Sequence, residues 1–203
     1  MQKAAFACPC RLILGAGLFL GADLFLGTAN AAPVTYNLDP NHTFPSFEAD
    51  HMGGMSILRG KFNSSSGKVV LDREAKTGTL EVSVDTSSID FGIPKLNGEA
   101  KEPMMFDAAK YPAATYTGKF TQFKGDVPTA VEGQLTLHGV TKPVALTIKQ
   151  FKCKMNPMYK KEVCGADAEA DFDRAAFGID YGKAYGFNMA VKLRIEVEGI
   201  RAD

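Results

Sequence analysis

Apolar and polar residues alternate with a period of two along much of this chain. The longest alternating run lies near its end, where every second residue from Phe187 to Val197 is apolar. Such a pattern is typical of a β-strand with one buried face. Similar runs predict strands over residues 36–39, 44–51, 57–62, 68–72, 80–84, 114–123, 131–138, 144–151 and 166–172.

Glycine and proline residues separate these predicted strands. Gly139 ends the strand over residues 131–138, and Pro143 is compatible only with a position that needs no backbone donor. The two flanking runs therefore predict a β-hairpin whose leucines face inward. Residues 52–55 and 63–67 are rich in glycine or serine and predict turns.

One region departs from the strand pattern. Residues 87–107 contain several glycines and prolines, and Lys95 to Met105 predicts one or two helical turns. The remaining strands number roughly eight or more, which predicts a sandwich or a closed barrel. The length of the last strand favours a barrel, because closure leaves no unpaired edge. The predicted fold is therefore all-β, an antiparallel barrel of about eight strands with one short helix, wide enough to be filled by side chains or to hold one small ligand.

The beginning of the chain has the composition of a cleaved signal peptide. Lys3 and Arg11 are basic, residues 12–26 are mostly apolar, and residues 29–31 are small. We place cleavage after Ala31, with Ala32 as the alternative, so that residues 32–203 form the barrel domain. The other interpretation, a membrane anchor, is disfavoured because the apolar run is short and interrupted. Export to the bacterial periplasm is the expectation.

Two cysteines, Cys153 and Cys164, follow the predicted cleavage site. An even number of cysteines in an exported protein indicates a disulfide, here at the base of a hairpin loop formed by residues 154–163. The alternative is a redox-active pair, which more often has the closer spacing C-x-x-C.

Charge and motif content exclude several functions. The formal net charge is zero, whereas a nucleic-acid-binding protein needs a basic patch. His42, His51 and His138 lack the spacing of metal ligands, so we expect no metal site, and we expect His42 and His138 to hydrogen-bond backbone groups at corners. No G-x-S-x-G motif is present, and we assign no catalytic residue. Glu99 and Glu102 fit a solvated helix face beside Lys95.

Methionine and phenylalanine are frequent in the irregular stretches. Methionine adapts its shape to varied apolar partners, so these residues are suited to the entrance of a cavity. The alternative is that they form the plug of an ordinary packed core. The residues concerned are Met52, Met55, Phe91, Leu96, Met104, Met105 and Phe106.

An ordered set of short motifs resembles the YceI-like, polyisoprenoid-binding family. No single motif is specific, but together they cover nearly the whole chain after residue 31. The matching segments are Asp39–Thr43, Phe47–Gly53, Gly60–Phe62, Ser66–Asp72, Ser87–Asp90, Phe106–Asp107, Lys110–Pro112, Gly133–Val144 and Arg174–Gly178. Residues 91–97 depart from the family's more charged pattern, and the cysteine pair is not a general family feature.

The resemblance implies a lipocalin-like barrel with an elongated apolar cavity that holds a polyprenyl chain. Candidate head-group residues are Arg174, Lys95 and His51. For Arg174 the alternative is an ion pair with Asp173 or Asp50, and for His51 it is a bond within a turn. The candidate cavity residues are Phe47, His51, Met52, Met55, Phe62, Phe91, Leu96, Met104, Met105, Phe106, Phe172 and Phe177.

The expected function is storage or transport of an isoprenoid lipid, of the quinone or polyprenyl phosphate type, without a required cofactor and without nucleic acid. The alternatives are an enzyme that acts on a lipid-like amide or ester, a carrier of fatty-acid-type ligands, and a structural protein with a filled core. Transient contact with a membrane, and either a monomer or a homodimer, are compatible with this expectation.

Overall fold

The structure is a computed structural model that describes residues 32–202. The predicted signal peptide lies outside the described residues. These described residues form twelve strands, one α-helix, α1 (Pro94–Lys101), and three short 3-10 helices. The strands are β1 (Val34–Leu38), β2 (Phe44–His51), β3 (Ser56–Phe62), β4 (Ser65–Asp72), β5 (Thr77–Asp85), β6 (Ile89–Asp90), β7 (Ala113–Lys124), β8 (Val127–Leu137), β9 (Val140–Pro143), β10 (Leu146–Asn156), β11 (Lys161–Asp173) and β12 (Ala190–Arg201).

Eight strands close into an antiparallel ring in the order β1-β4-β5-β7-β8-β10-β11-β12, because β12 returns to pair with β1. The predicted closed barrel, its approximate strand number and its short helix are therefore confirmed. Along residues 191–196, β12 pairs with β2 instead of β1, and β2 continues to β3 and β6. The helix α1 follows β6 directly, and its Ala100 is fully buried against Phe47 and Phe62.

The hairpin predicted around Gly139 is confirmed, with a tighter turn than expected. His138 and Gly139 both have positive φ, 52° and 75°, as a two-residue hairpin turn requires. The short strand β9 pairs with β8, and after a break β10 resumes pairing with β8. Pro143 is tolerated in β9, which lies off the main path of the sheet.

Two predicted turns are shorter than the sequence indicated. Ser65 already belongs to β4, so the predicted turn over residues 63–67 was wrong in its second half. In the hairpin that carries the disulfide, strand pairing continues beyond Cys153 and Cys164 as far as Asn156 opposite Lys161. The predicted ten-residue loop is thus a four-residue turn on a longer hairpin. Sequence patterns locate strand ends poorly, because strand pairing extends over polar residues.

The two ends of the barrel differ. The closed end is formed by buried Tyr36, Leu71 and Cys164, with Phe120 and Phe151 packed against them. The opposite end, which we call the mouth, is formed by residues 50–55, α1 and residues 179–188. The disulfide between Cys153 and Cys164 lies at the closed end. Within residues 32–202, no helix is long and apolar enough to cross a membrane.

Candidate ligand-binding cavity

A cavity of about 510 Å³ fills the centre of the barrel. Its size falls within the roughly 300–1,000 Å³ of typical ligand pockets. The inward face of β12 shows how the wall arises, because Val191, Leu193, Ile195 and Val197 all line the cavity while the residues between them point outward. From Val191 to Gly199 the lining covers about 26 Å of strand at roughly 3.3 Å per residue.

Hydroxyl groups in the wall are occupied by internal partners. Tyr116 donates to the carbonyl of Val144 at 2.7 Å, and burial raises the pKa of Tyr116 to about 12. Tyr36 donates to Glu162 at 2.9 Å, and burial together with that carboxylate raises the pKa of Tyr36 to about 12. Thr43 likewise bonds to the backbone of residue 198. These lining residues therefore present carbon atoms to the cavity.

A glycine makes the position of Tyr116 possible. A Cβ atom at Gly133 would lie 2.4 Å from the Tyr116 ring and 2.5 Å from the carbonyl of Thr117. Because real Cβ atoms do not approach so closely, any other residue at position 133 would displace the tyrosine. Gly133, noted in the sequence only as part of a hairpin, thus allows Tyr116 to lie across the inner wall and reach Val144.

Most of the predicted cavity residues line the cavity, and three do not. Met55 and Met104 are exposed, by 77% and 61%. Phe177 is buried behind the wall, where its ring meets that of Phe172 edge-on at 5.3 Å between centroids. The predicted residues that line the cavity are Phe47, His51, Met52, Phe62, Phe91, Leu96, Met105, Phe106 and Phe172.

The cavity residues predicted from the sequence omit many that lie on the strands and some in one loop. The inward residues of β5, β8 and β12 form much of the wall, and their strict alternation was the signal that could have identified them. Tyr181, in a glycine-rich loop without periodicity, and Phe187, at the start of the alternating run, also line the cavity. No local pattern marks Tyr181 as a lining residue.

Arg174 holds that loop against the mouth. Its guanidinium donates to the carbonyls of Ile179 and Tyr181, at 2.9 and 2.8 Å, rather than forming either of the ion pairs considered from the sequence. Burial lowers the pKa of Arg174, while the charges of Asp173, Asp180 and Asp50 oppose that shift. Arg174 lines the cavity, as does Asp50.

Asp50 organises the facing loop at the mouth. Its carboxylate accepts hydrogen bonds from the backbone N–H groups of Asn188, Gly53 and Gly54. The bond from Asn188 is the main cause of the lowered pKa of Asp50. One aspartate therefore joins the loop that follows β2 to the segment that precedes β12.

The other two head-group candidates are placed differently from each other. His51 lines the cavity near its opening and lies 3.3 Å from the hydroxyl of Ser56. Lys95 is 87% exposed and lies 3.8 Å from Glu99, as expected for a solvated helix face. Glu99 itself borders the cavity. The acidic, basic and imidazole side chains that line the cavity are thus Arg174, His51, Asp50 and Glu99.

The remaining histidines do not line the cavity. His138 contacts the carbonyl of Phe177 at 3.3 Å, which confirms the expected backbone bond. His42 differs from expectation, because its Nδ1 lies 2.8 Å from a carboxylate oxygen of Asp39. Asp39, His42 and Glu198 each have one oxygen or nitrogen atom of the kind that can bind a metal, and these atoms lie within 4.8 Å of one another. The sequence does not reveal this grouping, because residue 198 lies far along the chain from residues 39 and 42.

The motif order, the closed ring and the cavity agree with one family, and the YceI-like domain matches residues 36–199. The chain belongs to the YceI-like family. Protein YceI of Salmonella arizonae is 31% identical over 178 residues, which cover 86% of this chain and 90% of that protein. A UPF0312 protein of Vibrio campbellii is 29% identical over 174 residues, covering 85% and 89%.

Solved structures share the fold of this YceI-like protein. A polyisoprenoid-binding domain from Saccharophagus degradans aligns with a TM-score of 0.56 and 16% identity, over 83% of this chain and 99% of that domain. BcnA of Burkholderia cenocepacia aligns with a TM-score of 0.58 and 22% identity, over 76% and 95%. At these identities the likeness establishes the architecture of the barrel.

Proposed function

We propose that this protein binds one polyisoprenoid lipid, of the quinone or polyprenyl phosphate type, and stores or carries it in the periplasm. The observation that carries the proposal is the central cavity, whose wall is apolar and whose polar groups are gathered at the mouth. That arrangement suits a ligand with a long apolar tail and one polar end. The YceI-like family and the polyisoprenoid-binding domain with the same fold support the ligand class.

Physical considerations favour binding without fine discrimination along the tail. Burial contributes about 0.8 kcal/mol per methylene, so a few prenyl units offset the cost of association. An apolar wall distinguishes tails that differ by one methylene by only about 1–3 kcal/mol. Selection of the ligand therefore rests on the head group, and Arg174 and His51, which line the cavity, are the residues that we propose to contact it. No covalent step is needed for storage or transport.

A pair of tryptophan substitutions tests the proposal. Met105 lines the cavity, whereas Met104 is exposed beside it. Met105→Trp should lower the bound prenyl lipid by roughly threefold or more, because the larger ring occupies ligand volume. Met104→Trp is the matched control and should leave the lipid content unchanged. Lipid extracted from protein purified from its own host would be measured by mass spectrometry.

Circular dichroism would check that both variants keep the barrel. Equal lipid content in the Met105→Trp variant and the original protein would contradict binding at this cavity. Recovery of fatty acids in place of prenyl lipids would indicate a fatty-acid-type carrier. A hydrolysed acyl product that accumulates with time would instead indicate an enzyme.

A further inference from the structure

The exposed apolar side chains of the described residues include a group that surrounds the cavity opening. Met52 and Tyr181 are about half exposed, and Met55 and Tyr185 are exposed by 77% and 80%. We call these four residues the mouth patch. They lie on two loops that touch, because a Cβ atom at Gly53 would lie 3.2 Å from the carbonyl of Gly186.

The mouth patch continues the apolar wall onto the outer surface. Met52 and Tyr181 belong to both, since each lines the cavity and is also half exposed. An apolar tail that moves along this path would meet the apolar side chains of Met52 and Tyr181 both outside and inside the barrel. We propose that the mouth patch docks on the surface of a lipid bilayer, from which the lipid enters the cavity; the inference rests on the proposed function.

Charge and residue type favour a bilayer as the occupant. Residues 52–57 carry no side chain that is charged at neutral pH, and residues 181–189 carry only one, Lys183. Asp50, at the base of the first loop, is engaged by three backbone N–H groups. Tyrosine is enriched where one end of the ring is apolar and the other is wet, and methionine adapts to disordered apolar partners. This nearly neutral patch suits shallow insertion between lipid head groups.

A second exposed apolar group, at the tip of the β10–β11 hairpin, supplies the control. Met155 and Met158 are exposed by 67% and 80%, and lie among Lys152, Lys154 and Lys160. This tip belongs to the closed end and has no opening beside it. Its lysines would attract any anionic membrane. Vesicles of neutral phosphatidylcholine therefore separate apolar docking at the mouth from electrostatic attraction at the tip.

The experiment compares two double variants by flotation with phosphatidylcholine vesicles in high salt. Met55→Ser/Tyr185→Ser removes two patch residues that do not line the cavity, and should lower the vesicle-bound fraction roughly tenfold. Met155→Ser/Met158→Ser should leave that fraction unchanged. Uptake of ubiquinone from the vesicles should slow by a similar factor in the first variant only, while loading from detergent micelles stays equal.

The outcomes separate docking from ligand binding. Equal flotation of both variants, loss of flotation in the tip variant, or no flotation of the original protein would each overturn the proposal. Self-association of the original protein that Met55→Ser/Tyr185→Ser abolishes, without vesicle binding, would assign the patch to a second copy of the chain. Flotation that depends on the mouth patch, without uptake of either ubiquinone or a polyprenyl phosphate offered in the vesicles, would support docking and contradict the proposed function.

Discussion

The two ends of the barrel differ in how far their apolar side chains are exposed to solvent. At the closed end, Tyr36 and Leu71 are buried by 97% or more, and a disulfide joins the adjacent strands. At the mouth, Ala100 of α1 and Ile179 are buried, but several apolar side chains of the loops remain exposed, and these loops are held by hydrogen bonds to Asp50 and Arg174. The mouth therefore combines packed residues with loops that present an apolar surface beside an opening.

Hydrogen bonds from a side chain to loop backbone hold a loop in place without covering it. Arg174 and Asp50 each bind backbone groups of the loops at the mouth, so the side chains of those loops can face outward or into the cavity. Packing at the closed end fixes the side chains themselves. The comparison predicts that substitutions at the closed end change stability, whereas substitutions at the mouth change ligand exchange.

The largest difference is expected between two leucine substitutions. Leu71→Ala, at the closed end, should lower the free energy of unfolding by about 2–5 kcal/mol, because Leu71 is 2% exposed and packs against Tyr36. Leu96→Ala, at the mouth, should lower it by only about 1 kcal/mol, since Leu96 is half-buried beside an open cavity. Urea denaturation would measure both, and equal losses would break the proposed division between the ends.

The disulfide provides a second, smaller effect that is confined to the closed end. Replacing both Cys153 and Cys164 with alanine should lower the free energy of unfolding by about 2–3 kcal/mol, as the chain-entropy model gives for a short loop. Thermal unfolding of the original protein with and without reductant would compare the stability of the disulfide-bonded and reduced forms. The content of bound prenyl lipid should stay unchanged, and a fall in that content would show that the two ends are coupled.

The smallest expected effect is a pH dependence of stability, which arises from the pair His42 and Asp39. The hydrogen bond to Asp39 raises the pKa of His42. Burial raises the pKa of Asp39, but the bonds from His42 and Asn41 outweigh it and hold that pKa below its usual range. The contribution of His42 is therefore complete below its unfolded pKa and is lost as pH rises through its folded pKa. That of Asp39 is complete above its unfolded pKa and is lost as pH falls.

Stability from this pair should consequently be greatest between roughly pH 4 and 6.5 and decline towards pH 8. His42→Asn should flatten the decline in Tm between pH 5 and pH 8, and Asp39→Asn should flatten it as well, because the two groups act together. His42 is half exposed, so high salt should weaken the effect. An unchanged pH profile in His42→Asn would mean that the pair does not stabilise the closed end.

The sequence carries a clearer signal for the wall of the barrel than for its mouth, for a physical reason, although most of the cavity residues named from it lie in irregular stretches. Strand alternation follows from burial of one face, so the inward residues of β12 could be identified directly. Methionines in irregular stretches have no such constraint, and Met105 lines the cavity whereas adjacent Met104 is exposed. Arg174 holds Tyr181 in position by donating a hydrogen bond to its backbone carbonyl, a group that every residue has. Such a contact leaves no trace in the pattern of residue types.

Closure of the ring by β12 has a consequence for how the protein folds. β12 pairs with β11, β2 and β1, and Tyr36 lies opposite Arg201. Pairing between the first and last strands is among the most distant contacts that a chain can make, and such contacts slow folding. No enclosed volume exists before these strands meet. The capacity to retain a lipid should therefore be acquired late and all at once, in the same kinetic phase that completes the native strand order.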